Sequence, residues 1–179
     1  SNGHTHRPGR ATLPALAAAA HLEEPFELTP AVNPALPSGG ADRNCIPGYD
    51  FPDLRVQNNY VRGTPLRSSS LRSLGAFGNV FAIESFMDEC AAGADPIAFR
   101  RAHLKDARGR AVLERLAPTF NSFQKRENCG RGIAYARYKN IGAYCAVLAE
   151  VEVTHELRVK RLVAAVDVGL PINPDGVIN

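Results

Sequence analysis

Apolar residues in the middle of the chain recur every three or four positions. Between residues 79 and 92 this spacing predicts an amphipathic helix with one buried face. That face consists of Val80, Ile83, Met87 and Cys90, with Phe86 beside it. The acidic residues of the same segment, Glu84, Asp88 and Glu89, lie largely elsewhere on the helix. The segment therefore predicts a helix that packs on a core through aliphatic and sulfur-containing side chains.

Two more helices are predicted directly after the first. Asp95 is a good N-cap and Pro96 a good first helical residue, so a helix should start there and run to about Leu104. Another is expected from near Ala107 to Ala117, because proline at position 118 disfavours its continuation.

The C-terminal part changes to the two-residue period of strands. Three segments rich in Val, Ala, Tyr and Ile are predicted as strands: Gly132 to Lys139, Ala143 to His155, and Leu157 to Val168. Residues 154–156 are the predicted turn of a β-hairpin. Helices followed by strands favour an α+β fold, with central helices and a C-terminal, mostly antiparallel sheet.

The second of these strands indicates which sheet face meets water. Val151 and Val153 alternate with Glu150 and Glu152, so we expect the valines on a buried face and the glutamates on a wet one. Paired glutamates on one strand face also suit general acid–base chemistry. A solvent-facing pair is the favoured interpretation.

The first 52 residues differ in composition from the rest. Eight of the thirteen prolines are Pro8, Pro14, Pro25, Pro30, Pro34, Pro37, Pro47 and Pro52. We therefore predict a Pro/Gly-rich irregular arm over residues 1–52, with one short helix around Ala15 to His21, and an α+β piece over residues 53–179. Alternation over residues 53–62 predicts a strand at the start of that piece.

Charge and cysteine spacing exclude several classes of function. The net charge of +3 is spread along the chain without a basic stripe or tryptophan, which argues against a nucleic-acid partner. No run approaches the roughly 20 apolar residues of a membrane span. The four cysteines are widely and irregularly spaced, so free thiols are favoured over disulfides, zinc or iron–sulfur sites.

Two small clusters are further candidates for chemistry. His4 and His6 share a strand face, but they lack a third ligand, so a metal site is not expected there. Asp167 and Gly169 mark a strand end and turn. A structural role close to a site is expected for them.

The strongest candidate site is the small-residue loop in front of the first helix. Arg72 carries a permanent cation with five donors, which suits an oxo group, a phosphate or an anionic substrate. Gly75 and Ala76 keep the loop small, which would let backbone N–H groups approach a cofactor. The alternative is a structural arginine that satisfies loop carbonyls. Arg67 is a second candidate cation or a solvent-exposed residue.

Several segments, taken in order, resemble one family: the molybdopterin-binding large subunit of xanthine dehydrogenase and aldehyde oxidase, in its bacterial isoquinoline 1-oxidoreductase-like branch. The matching segments are residues 71–89, 142–153, 163–169 and 172–174, supported by 3–9, 42–44, 65–67 and 132–139. In that resemblance Arg72 matches the arginine of a Phe-Arg-Gly-Phe-Gly pattern beside the molybdenum centre. It is thus the catalytic candidate, with Gly75 and Ala76 as cofactor-binding candidates. Ser73 and Leu74 depart from the pattern, and the loss of an aromatic ring at Leu74 disfavours a purine substrate.

The resemblance implies a molybdenum-dependent oxidoreductase that hydroxylates an isoquinoline-like N-heterocycle with water as oxygen source. Its cofactor would be molybdopterin, in a cytosine dinucleotide form, and its partners a small-molecule substrate, an iron–sulfur subunit and the remainder of the same subunit. An aldehyde dehydrogenase of the same family is the alternative substrate class. The family's C-terminal catalytic glutamate motif does not occur here, so this chain is expected to be an internal fragment, inactive when isolated.

A non-catalytic binding or assembly module is the alternative for the isolated chain. A cytoplasmic location is expected, or a periplasmic one if an export signal lies upstream.

Overall fold

A computed structural model describes residues 35–59 and 72–178 of the chain. Helices come first along the described chain and strands follow, so the predicted α+β fold is confirmed. The elements are α1 (Ala76–Ala91), α2 (Pro96–Ala102), α3 (Ala107–Asn121), β1 (Cys129–Arg137), β2 (Tyr144–Val153), β3 (Leu157–Asp167) and the short α4 (Asp175–Ile178). Within these ranges, no helix combines enough length and hydropathy to cross a membrane.

The three strands form one antiparallel sheet in the order β1-β2-β3. The predicted hairpin is confirmed, because β2 ends at Val153, β3 begins at Leu157, and Thr154 donates its N–H to the carbonyl of Glu156 (3.0 Å). A β-bulge interrupts the β2–β3 register between Glu150 and Val151.

Helix α2 begins where the sequence predicts. The Asp95 carboxylate accepts hydrogen bonds from the N–H groups of Ile97 and Ala98, both 2.8 Å, and Pro96 is the first helical residue. Asp106 caps α3 in the same way, through the N–H groups of Arg108 and Gly109. Each aspartate satisfies donors that a helix N-terminus leaves unpaired.

Helix α3 does not end before Pro118, so that prediction is wrong. The helix runs to Asn121 with the proline inside it. Proline removes one backbone hydrogen bond. Phe120 in the last turn is 4% exposed and belongs to the core, and this apolar burial offsets the loss.

The core lies between the helices and one face of the sheet. Helix α3 contacts all three strands and packs against α2. The core residues are Tyr49, Met87, Ile97, Leu104, Val112, Leu113, Leu116, Phe120, Ile133, Tyr135, Tyr144, Ala146, Leu148 and Ala165.

Helix α1 buries a different set of residues from the predicted one. Met87 is buried and Ile83 partly buried, as expected, but Glu84 is also buried and Cys90 and Phe86 are exposed. Glu84 lies three residues before Met87 and therefore shares its face. Its burial is possible because its carboxylate is fully hydrogen-bonded, as described below.

The predicted polarity of strand β2 is reversed. Glu150 and Glu152 lie on the same side as the core residues Ala146 and Leu148, whereas Val153 lies on the opposite side and is 49% exposed. The glutamates remain partly solvated because they lie towards the hairpin end of the strand, past the core positions. Alternation thus identified two faces, but within this chain the valine face, not the glutamate face, is the more exposed one beyond the core positions.

Some predicted features differ from the structure or lie outside it. A strand is predicted over residues 53–62, but residues 53–59 form no strand and are exposed, and residues 60–62 lie outside the described residues. An alternating pattern makes a strand only where a neighbouring strand pairs with it, and none does so among the described residues. The helix predicted near Ala15 to His21, the histidines His4 and His6, and Arg67 lie outside the described residues.

The chain divides into two compact units. One consists of Ser1–Ile46 and Arg55–Phe81, the other of Pro47–Leu54 and Ala82–Asn179. The candidate loop belongs to the first unit and the sheet to the second. The predicted compositional boundary after residue 52 stays a prediction.

Candidate functional site

The candidate loop is a left-handed turn that leads directly into α1. Ser73 and Leu74 both have positive φ, 72° and 52°. Side chains other than glycine rarely take this conformation, and strained backbone of this kind is concentrated at functional sites. Arg72 precedes the two residues and is exposed.

Gly75 and Asn79 fix this turn to the segment around residues 40–43. Gly75 donates its N–H to the carbonyl of Gly40 (3.0 Å). The Asn79 amide donates to the carbonyls of Ala41 (2.8 Å) and Arg43 (2.9 Å). A Cβ at position 75 would overlap the carbonyl oxygens of residues 40 and 41, so the close approach requires glycine here.

Arg43 satisfies loop carbonyls in the part of the chain that the structure describes, and Arg72 does not. The Arg43 side chain is buried and donates to the carbonyls of Ser38 (2.5 Å) and Gly39 (3.2 Å). The Arg72 guanidinium makes no hydrogen bond or ion pair with any residue that the structure describes. Its five donors therefore have no partner among the described residues, and both interpretations of Arg72, as a ligand-binding or a structural arginine, stay predictions.

The two predicted cofactor-binding residues, Gly75 and Ala76, lie in the part of the turn whose N–H groups are hydrogen-bonded to other backbone carbonyls. Both are buried, and both N–H groups are already used, that of Gly75 by Gly40 and that of Ala76 by the carbonyl of Ser73 (3.1 Å). The N–H groups of Ser73 and Leu74 have no partner within residues 35–59 and 72–178. Within the described residues, the donors of this turn without a partner are thus these two and Arg72, while Gly75 and Ala76 hold the backbone in place.

Two exposed aromatic rings follow the turn on the first part of α1. Phe77 and Phe81 are 76% and 74% exposed and lie four residues apart, on the same side of the helix. They are not among the residues predicted from the sequence, because the prediction considered only the face of the helix that was expected to be buried. The signal that could have identified them is the four-residue spacing of two phenylalanines outside that face. They supply flat apolar surface close in sequence to Arg72.

In the second unit, a buried ion pair joins α1, α2 and β1. Arg100, 0% exposed, donates to the Glu84 carboxylate (2.8 Å), to its carbonyl (3.0 Å) and to Asp88 (2.7 Å). The Glu84 carboxylate also accepts from the hydroxyl of Tyr49 (2.8 Å) and the N–H of Tyr135 (2.9 Å). Both oxygens of the Glu84 carboxylate accept hydrogen bonds within the protein, so the cluster has a structural role.

The pKa values in this cluster follow from its burial. Burial raises the pKa of the Glu84 carboxyl, and the Arg100 guanidinium opposes that rise. Burial and the nearby Glu84 carboxylate raise the pKa of Tyr49 well above its usual value. Tyr49 therefore stays protonated and serves as a donor.

A second polar cluster holds the end of β3. Arg108 donates twice to the Asp167 carboxylate (2.7 and 2.5 Å), and Asp167 also accepts from the N–H of Gly169 (2.9 Å). The hydrogen bonds from Arg108 and Gly169 lower the pKa of Asp167 to about 2. This arrangement gives Asp167 a structural role at the strand end.

The Asp106 carboxylate joins this cluster to β1 and β2. It accepts a hydrogen bond from the Tyr144 hydroxyl (2.8 Å) and faces Arg137 at 3.4 Å. Slight burial opposes it, but hydrogen bonds from Tyr144 and two backbone N–H groups lower the pKa of Asp106. Asp106 thus remains ionised as the cap of α3.

The other candidate groups have structural explanations. Glu150 pairs with Arg161 (3.7 Å) and Glu152 with Lys160 (3.2 Å), so neither is poised as an acid or base. His103 packs against the rings of Phe51 and Phe99, with ring centroids 4.9 and 4.5 Å apart. All four cysteines are described, and each is a free thiol. Within the described ranges, no three His, Cys, Asp or Glu side chains could share a metal.

The chain that carries this fold and this exposed arginine is similar in sequence to subunits of two oxidoreductases. The B subunit of nicotinate dehydrogenase from Pseudomonas putida strain KT2440 is 40% identical over 158 residues, which cover 76% of this chain and 13% of that protein. The beta subunit of isoquinoline 1-oxidoreductase from Brevundimonas diminuta is 35% identical over 140 residues, covering 71% of this chain and 17% of that one. No family model matches the chain.

These comparisons support the resemblance at the level of oxidoreductase subunits. The two relatives carry different substrate names, so the narrower isoquinoline branch stays a prediction. The chain spans less than a fifth of the length of either relative.

Proposed function

We propose that this chain is a segment of the large subunit of a molybdenum hydroxylase that oxidises an N-heterocycle. The order of the matching segments supports this, and so do two relatives named for nicotinate and isoquinoline. Both compounds are nitrogen-containing aromatic rings, whereas an aldehyde substrate has no support among these relatives. An iron–sulfur partner subunit and a cytosine dinucleotide form of the pterin are part of the same proposal.

The observation that carries the proposal is the Arg72 guanidinium, which lies on an anchored turn and is free of partners among the described residues. A permanent cation and the N–H groups of Ser73 and Leu74 form a donor set suited to a phosphate, an oxo group or a carboxylate. These donors fit the anionic parts of molybdopterin and of a nicotinate-like substrate. When bound, the cofactor supplies the redox centre at which a ring carbon is oxidised.

The residues of this chain would then bind and orient. Arg72 would hold an anionic group and stabilise developing negative charge. Gly75 and Asn79 would keep the turn rigid, which matters because a misplaced donor loses much of its effect. Leu74 and Phe77 would offer apolar surface to a flat ring.

The test uses the parent subunit, meaning the longer polypeptide proposed to contain this chain, purified with its native partner. About one molybdenum per subunit is expected by elemental analysis. Arg72→Ala should lower kcat/KM by about 100-fold or more, the typical cost of losing a donor to developing charge. Arg72→Lys should recover part of this loss, since it keeps the charge but not the planar fork.

Arg115→Ala is the matched control, because Arg115 is an exposed arginine on α3. It should leave kcat/KM and molybdenum content unchanged. A preparation that is folded and bound to its partner but free of molybdenum would refute the enzyme class. Full activity of the Arg72→Ala subunit would instead remove Arg72 from the site.

A further inference from the structure

The two faces of the sheet have opposite and unusual compositions. Residues directly opposite each other in paired strands lie on the same face, so the register assigns each paired residue to a side. The helix-covered side includes Ile133, Ala146 and Leu148. The other side, here called the open face, carries no charged residue at the paired positions of the three strands, all of which the structure describes in full. Lys160 is the unpaired residue at the β-bulge, and its ammonium contacts Glu152 of the helix-covered side (3.2 Å).

Large aliphatic side chains make up much of the open face. They are Val147, Val153, Leu157, Val159, Leu162 and Val166, between 36% and 68% exposed. The strand β1 contributes small residues beside them, Gly130, Gly132, Ala134 and Ala136. The result is an aliphatic ridge on β2 and β3 with a shallow trough along β1.

The charged residues of the sheet lie on the helix side instead. Glu150 pairs there with Arg161, and Glu152 with Lys160. A sheet covered by helices on one side and by water on the other shows the reverse arrangement, with its charges on the wet side. The open face is therefore composed like a second buried face.

The exposed apolar surface continues beyond the sheet. After β3 the chain presents Leu170 and Ile172, which are 90% and 97% exposed, followed by Val177 and Ile178. Large exposed apolar surface is typical of a site that contacts another molecule or another part of the same protein.

We infer that the open face of the sheet is an internal interface, covered in the parent subunit by an apolar layer from another segment of the same polypeptide. This inference rests on the proposed function. The matched part of each relative is 13% and 17% of its length, so each has ample further chain to supply that layer. An uncharged face offers no ion pairs to orient a separate soluble partner, whereas it suits a permanent contact formed on folding.

The experiment measures thiol labelling in the parent holoenzyme. Leu162→Cys puts a probe at the centre of the aliphatic ridge, and the native Cys145, on the same face opposite Val166, is a second probe that requires no substitution. Lys105→Cys is the exposed reference, because the Lys105 side chain is 81% exposed. The thiol introduced at position 162 and that of Cys145 should react with a maleimide at least about 100-fold more slowly in the native subunit than in the denatured one.

The protection should not change when the holoenzyme is diluted, because the covering layer belongs to the same chain. Protection that falls on dilution would identify a second copy as the occupant and overturn the inference. Labelling of the Leu162→Cys variant at position 162 at close to the denatured rate would show that the face is free, and would overturn it too.

A charge on the ridge gives an independent test. Leu162→Lys should reduce the yield of folded parent subunit by about tenfold or more, because a lysine would be buried without a partner. Lys160→Met, two positions earlier but on the helix side, should leave the yield close to that of the wild type. Equal yields of the two variants would contradict the inference.

Molybdenum content of the same preparations separates this inference from the proposed function. Molybdenum together with a reactive thiol at position 162 would leave the function standing and remove the interface. A protected thiol at this position without molybdenum would leave the interface standing and remove the proposed function.

Discussion

Two arginines illustrate how position alone decides what a side chain does. Arg43 and Arg72 both lie in turns rich in small residues, and the residues around them do not indicate which arginine is buried. Arg43 is 3% exposed and uses its donors on backbone carbonyls. Arg72 is exposed and keeps its donors free within the described residues. Only the second can bind a ligand without dismantling the turn.

The glycine beside Arg72 allows a prediction about the turn itself. Gly75→Ala should destabilise the protein by about 1–3 kcal/mol, because its Cβ would overlap the backbone of residues 40 and 41. Urea denaturation of the 179-residue chain measures this change.

Gly78→Ala is the matched control for this substitution. A Cβ at position 78 meets nothing within 4 Å, and alanine favours the helix by about 0.5–1 kcal/mol. It should therefore be neutral or stabilising. Equal stability of the Gly75→Ala protein and the wild type would show that the close approach of the two segments is absent.

At the scale of the elements, the most buried ion pair of the described residues is the one between α1 and α2. The Glu84–Arg100 pair is buried on both sides and also reaches β1 through the N–H of Tyr135. Adjacent in sequence, Arg101 pairs with Glu114 across the surface, with side chains 49% and 48% exposed. Neighbouring arginines thus form pairs in very different environments.

Replacing each arginine by methionine should separate these environments. Arg100→Met should cost about 3–5 kcal/mol, because it leaves the Glu84 carboxylate buried without its cation. Arg101→Met should cost less than about 1 kcal/mol, since an exposed pair contributes little. The free energies of unfolding in urea give both values, and similar losses would mean that Glu84 is hydrated in the folded protein.

For the whole molecule, the lowered pKa of Asp167 predicts a small loss of stability at acid pH, because the pair with Arg108 is exposed. A carboxyl whose pKa is lower in the folded state adds stability above its unfolded pKa, and this is lost as the pH falls through the folded value. With a folded pKa of about 2 and an unfolded value of about 3.9, stability should fall between about pH 4 and pH 2.

Thermal unfolding of the wild type and of Asp167→Asn from neutral pH down to about pH 2 measures the effect. The variant should be less stable at neutral pH and should lose less on acidification. Asp53→Asn is the control, because Asp53 contacts no cation in the described part of the chain, and it should follow the wild-type curve. Parallel curves for Asp167→Asn and the wild type would remove Asp167 as the cause.

The sequence by itself determined the order and kind of the elements from α1 to β3. The helix cap at Asp95 and the period-two strands depend on neighbouring residues, so local patterns were sufficient for the α+β fold and the hairpin. The candidate loop was likewise found from its residues, as small side chains around Arg72 in front of a helix.

The tertiary structure decided which side of each element is buried. Glu84 is inside because Arg100 and Tyr49 reach it from other segments, and Phe120 keeps α3 helical past its proline by entering the core. The glutamates of β2 lie on the helix side, and the valines on the open face. Burial depends on partners distant in sequence, and a local pattern carries no information about where those partners lie.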